Sequence, residues 1–162
     1  MLGLSTLGLI HTAISLVALA SGSILIVRDG VISPRARFGP TYFVATLLTA
    51  LTALGIFRHG GFGPPHALAI LTLLALAAGW AASYTGTFGR ASRYVEAVCY
   101  SATFLFHLVP GFTETLTRLP SGAPIAASDQ APILQAIDSV LLLLFLGWLA
   151  WQILRLRRSP AP

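Results

Sequence analysis

Four histidines, His11, His59, His66 and His107, are the chemically distinctive residues of this 162-residue chain. Neutral imidazole is a common ligand of transition metals and of haem iron. One histidine on each of two facing membrane helices is enough to hold a haem b between them. Without a cofactor, the same side chains make hydrogen bonds to Ser, Thr or Tyr of a neighbouring helix. Choosing between these chemistries requires knowing which elements carry the histidines and on which side of a membrane they fall.

The composition decides the medium first. Of the residues, 56% are hydrophobic and 9% are charged, whereas soluble domains carry about 25% charged residues. Such a chain cannot cover a water-facing surface, and its long apolar runs read as membrane spans. The net charge of +5 is not a nucleic-acid footprint. There is no lysine, and the arginines sit at the ends of apolar runs rather than along a soluble groove. The single Cys99 excludes an internal disulfide and a cysteine-based zinc site. No phosphate-binding loop, His-Glu-x-x-His element or Ser-His-Asp order is present.

The chain reads as one all-α transmembrane domain over 1–162, a bundle of five spanning helices. The expected spans are Leu2 to Val27, Thr41 to Phe57, His66 to Tyr84, Tyr94 to Phe112 and Leu134 to Leu154. A hydrocarbon core of about 30 Å needs about 20 helical residues, so the second and fourth are marginal. Pro110 lacks an N–H and its ring opposes the carbonyl of Phe106, so the fourth span is expected to kink or end there. Thr113 to Leu119 then reads as a short interfacial helix. Ala18-Leu19-Ala20 mimics a signal cleavage site, but no basic stretch precedes it and apolar residues resume at Ile24. The first segment is therefore expected to be retained.

Arginine sets the orientation. Arg28, Arg35, Arg37, Arg90, Arg93, Arg155, Arg157 and Arg158 fall on one side of the weave, and only Arg58 and Arg118 on the other. The positive-inside rule puts the eight in the cytoplasm of a bacterial inner membrane, with the N-terminus outside. All four histidines then belong to the outer half or the outer loops.

The helical spacing turns this into a site. Glu96, Tyr100, Thr103, His107, Gly111 and Glu114 recur every three or four residues and share one stripe. His11, Ser15, Ala18 and Gly22 form a small and polar face on the first span, and Tyr42, Thr46, Thr49 and Ala53 on the second. Such faces point into membrane bundles. His11 would lie roughly 13 Å below the start of its helix, and His107 roughly 5–10 Å from the break at Pro110. The two are thus expected at matched depth, as ligands of haem b or a transition-metal ion. His66, after Pro64-Pro65, is expected at the headgroup level as a third candidate ligand, and His59 in a loop. Ser15 and Thr103 would flank the ligands, with Glu114 and Asp138 at the cavity mouth. Glu96 is expected to pair with Arg93, Glu114 with Arg118, and Asp138 with Arg118 or a histidine.

The run from Phe106 to Pro120, with the loops Arg37 to Tyr42 and Phe88 to Tyr94, resembles a segment of small proteobacterial inner-membrane proteins. That resemblance implies location and no activity. Histidines on facing helices are also similar in layout to membrane b-type cytochromes, an analogy of architecture alone. The functional expectation is a redox or metal-handling protein of the inner membrane. It would exchange electrons with the quinone pool or serve as a subunit of a membrane complex. The alternatives are a cofactor-free accessory subunit and a small proton-linked transporter.

Overall fold

The computed structural model describes residues 5–57 and 61–158. Within them the chain is all-α: α1 Thr6–Asp29, α2 Gly39–Leu54, α3 Pro64–Tyr84, α4 Ser92–Leu116 and α5 Pro132–Arg158. A single 3-10 turn, Gly89–Ala91, leads into α4. Local chemistry sets the boundaries. The Ser5 hydroxyl accepts the Gly8 N–H at 3.1 Å to open α1, and Gly30, at φ 71, closes it by donating to the Ile26 carbonyl. Pro64 and Pro65 occupy the first turn of α3, where their missing N–H groups cost nothing.

Four of the five helices are long and apolar enough to cross a membrane. The exception is α2, which ends at Leu54, short of the expected Phe57, and has 16 residues. At about 1.5 Å per residue it is about 24 Å long, less than a full hydrocarbon core. The opposite correction applies to α4. It neither ends at Pro110 nor gives way to a separate interfacial helix, but runs on to Leu116. Around the proline the Thr113 and Thr115 hydroxyls donate to the Val109 and Gly111 carbonyls at 3.0 and 2.7 Å. These bonds lie beyond the break in the ladder, since the carbonyl that the missing N–H of Pro110 frees is that of Phe106, one turn earlier.

Neighbouring helices in sequence are neighbours in space. The α1–α2, α2–α3 and α3–α4 pairs pack together, α1 closes on α4, and α5 lies against α4 from outside. In this ring of four, α2 and α4 stand diagonally and meet only through long side chains across the bundle axis. The arginine-bearing ends converge. Arg35 lies over the Tyr84 ring at 5.3 Å, Ser33 bonds Glu96, and Gly30 packs against Trp151 and Arg155.

The distribution of polarity is inverted relative to a soluble domain. Buried positions include Thr46, Thr49, Ser101, Thr103, His107 and Gln152. The outside carries leucines such as Leu143 and Leu144, which are 69% and 65% exposed. Such a surface is compatible with lipid and not with water.

Candidate functional site

The interior site is built around one face of α2. Tyr42, Thr46 and Thr49 share a stripe, with Thr52 one step round it, and the first three are buried. Across the axis, α4 presents Tyr100, Thr103 and His107, also buried. His107 Nε2 lies 3.1 Å from the Thr46 hydroxyl. The Tyr42 hydroxyl lies 2.8 Å from that of Thr103, which donates onward to the Tyr100 carbonyl at 2.9 Å. Since the Thr103 proton is engaged there, Tyr42 is the donor in their pair. The Tyr42 and His107 rings meet edge-on, with centroids 6.5 Å apart.

His11 joins the same helix one level further out, its Nδ1 lying 3.0 Å from the Thr52 hydroxyl. Thr52 donates to carbonyls of its own helix, so the imidazole supplies the proton of the His11–Thr52 bond. Both expected histidines therefore point inward, and each is held by a threonine of α2. Their depths are not matched. His11 is about 8 Å from the start of α1 and His107 about 13 Å from the end of α4, at about 1.5 Å per residue. The continuation of α4 past Pro110 is what buries His107 more deeply than its distance from the proline suggests.

The small face of α1 has a packing role. A Cβ at Gly22 would lie 2.8 Å from ring carbons of both Phe104 and Tyr42. Those two rings fill the space beside Ala18 and Gly22, so the small residues admit aromatic side chains. Ser15 is half-buried and donates to the Thr12 carbonyl at 2.8 Å within its own helix.

His66, in the first turn of α3, is 3% exposed. Its ring lies between those of Phe57 and Phe62, at centroid distances of 4.7 and 4.9 Å. Its Nδ1 accepts the Gly63 N–H at 3.2 Å, capping α3. No hydrogen bond or ring contact joins it to His11 or His107. His59 and Arg58 lie outside the described residues. Among the described residues, no three side chains of His, Cys, Asp or Glu gather as a metal site.

The acidic residues divide. Glu114 pairs with Arg118 at 2.7 Å as the spacing predicts. Glu96 takes its hydrogen bond from Ser33 at 2.7 Å, not from Arg93, because the loop between α1 and α2 folds over the start of α4. Asp138 is half-buried and its Oδ1 has no hydrogen-bond partner.

Comparison of the chain with protein-family models, with curated proteins and with solved structures finds no match. The site must therefore be read from its own chemistry. One interior contact escaped the sequence reading: Gln152 of α5 donates to the Ser101 hydroxyl at 2.9 Å. Its signal was a lone amide within an apolar helix end. A separate cavity of about 170 Å³, lined by Ile26, Phe104, Leu108, Leu141, Phe145 and Trp148, is apolar and holds no titratable group. The buried column along α2 gathers the histidine–hydroxyl bonds of the interior.

Proposed function

We propose that this chain is a multi-pass protein of a bacterial cytoplasmic membrane that handles protons through the histidines of its interior. A place among small polytopic inner-membrane proteins of proteobacteria belongs to the same proposal, as does an outside N-terminus with Arg155, Arg157 and Arg158 in the cytoplasm. The orientation is supported by the gathering of arginines at one end of the bundle. On this reading His11 opens toward the outer side and His107 lies further in.

The observation that carries the function is the pair of imidazole–hydroxyl bonds, His11 to Thr52 and His107 to Thr46. A neutral imidazole donates from one nitrogen and accepts at the other, and a hydroxyl does both. Linked, they pass a proton by exchanging tautomers and rotating hydroxyls. The competing reading, haem b or a transition metal between the same histidines, needs imidazole lone pairs for the metal. A haem would also need the space that Tyr42 and Phe104 fill beside Gly22. The hydroxyl partners and the filled space both favour proton handling.

The test is nitrogen NMR of the histidine-labelled protein in lipid nanodiscs, together with its visible spectrum. Proton handling predicts exchange between the two neutral tautomers of His107 and a colourless, metal-free protein. A single locked tautomer would reduce the histidines to helix glue. A Soret band, or stoichiometric metal lost in His107→Phe, would establish the cofactor reading instead.

A further inference from the structure

We infer that the outer histidine pair is one end of a water-bridged proton path that runs along the bundle axis to Glu96 at the arginine end. The inference rests on the proton-handling reading above and extends it from one side of the membrane to both. Followed inward, the groups are His11 with Thr52, then Thr49, then Thr46 with His107, then Tyr42 with Thr103, then Tyr100, and finally Glu96 with Ser33. Tyr42, Thr46, Thr49 and Thr52 belong to α2 and Glu96, Tyr100, Thr103 and His107 to α4, with the Tyr100 ring turned toward Gly79 and Ser83 of α3; His11 and Ser33 stand at the two ends.

Two positions in this series lack a partner, and both fall where the chain of hydrogen bonds is broken. The Thr49 hydroxyl, on a residue 7% exposed, has no hydrogen bond, and neither has the Tyr100 hydroxyl, on a residue 1% exposed. A threonine or serine in a helix ordinarily satisfies itself on the carbonyl four residues back. Thr12, Ser21, Thr52, Thr72 and Ser83 all do so here. Thr49 makes no such bond, and helical spacing places it between Thr46 and Thr52 on the buried face of α2. Side chains three residues apart on a helix stand about 5–6 Å apart at Cβ, a gap that one water closes with a hydrogen bond to each side. Buried polar gaps of this size are where proteins hold structural water.

The second gap has the same character. The Tyr100 ring slides over Gly79, where a Cβ would stand 3.1 Å from the ring. Its hydroxyl has Ser83 beside it and Glu96 within electrostatic reach, while the Ser83 proton is spent on the Gly79 carbonyl at 2.8 Å. The Thr103 bond ends on the Tyr100 backbone carbonyl, which relays no proton, so water there joins the phenol to the Tyr42 hydroxyl on one side and to the Glu96 carboxylate, one helical turn nearer the arginine end, on the other. In each passage one proton is taken up at His11 and one is released from Glu96. The intervening groups return to their starting protonation by hydroxyl rotation and imidazole tautomer exchange. No bond to carbon changes and nothing is oxidised, so a proton gradient alone drives the process.

Proteoliposomes of the full chain, with a pH dye inside and a potassium–valinomycin potential across the membrane, test the path. Proton influx above that of empty vesicles is expected. Thr49→Val and Tyr100→Phe, which delete one hydroxyl each at nearly constant shape, should each slow it about tenfold, the rate effect of losing one hydrogen-bonded link. Thr49→Ser should retain it, and Gln152→Leu, off the axis, should leave it unchanged. Influx equal to that of empty vesicles, with His107 still exchanging tautomers, would overturn the path and leave the outer proton site standing. Influx indifferent to both Thr49→Val and Tyr100→Phe would equally overturn it, because the protons would then be travelling elsewhere. A locked His107 tautomer would instead remove the reading on which the path depends.

Discussion

Thr46→Val tests the bond at the centre of the site. Valine keeps the branched shape of threonine and loses only the hydroxyl, so packing against the bundle axis changes little. Thr46 is fully buried and His107 is 7% exposed, so no bulk water replaces the lost partner of Nε2. A buried polar atom left without its hydrogen-bond partner costs about 1–3 kcal/mol. Interhelical hydrogen bonds in membranes are worth less on average, about 0.6 kcal/mol with a maximum of about 1.7, because the unfolded chain in lipid also finds partners. The two bounds overlap, and Thr46→Val should destabilise the protein by about 1–2 kcal/mol. The assay is reversible unfolding in mixed micelles, run as a cycle of Thr46→Val, His107→Phe and the double variant. A coupling energy near 1 kcal/mol is expected for a pair in direct contact, whereas independent sites add within about 0.3–0.5 kcal/mol. Coupling inside that window would show that Thr46 and His107 do not share a hydrogen bond, and both functional proposals would lose their starting point.

Thr52→Val should cost less than Thr46→Val in the same assay, because His11 is only half-buried and water can take over its Nδ1. Gly22→Ala should lower stability by about 1–3 kcal/mol through overpacking, since its methyl would meet the Phe104 and Tyr42 rings. Gly111→Ala, with nothing within 4 Å of the added Cβ, should instead gain up to about 1 kcal/mol of helix propensity; paired thermal melts in detergent compare the two. A reporter fused after Arg158 should be active only as a cytoplasmic fusion, and activity of a periplasmic reporter there would invert the proposed orientation.

The sequence made some of this site visible and hid the rest for identifiable reasons. The stripe Tyr100–Thr103–His107 and the face Tyr42–Thr46–Thr49 were legible because helical period alone puts them on one side. Their pairing was not, because which stripe faces which depends on the ring order of the helices, and α2 meets α4 across a diagonal. The depth of His107 was misjudged through Pro110. The end expected near Pro110 does not occur, because α4 continues through the proline to Leu116. The packing of the His66 ring against Phe57 and Phe62 was not legible, because those rings come from the chain just before α3, whose course periodicity does not report.

The shortness of α2 then takes on a physical meaning. From Tyr42 to Thr52 its polar groups span about 15 Å of a helix about 24 Å long, at the usual rise of about 1.5 Å per residue. Less than one turn lies beyond either end of that series. A helix that is polar along one face for most of its length need not be as long as a bilayer is thick, because water reaches its ends and the longer α1 and α3 flank it on either side. Lengthening α2 would add apolar turns between the column and the aqueous phase. On this argument the missing residues of α2 and the polar column are one adaptation, which brings both ends of the buried series close to water.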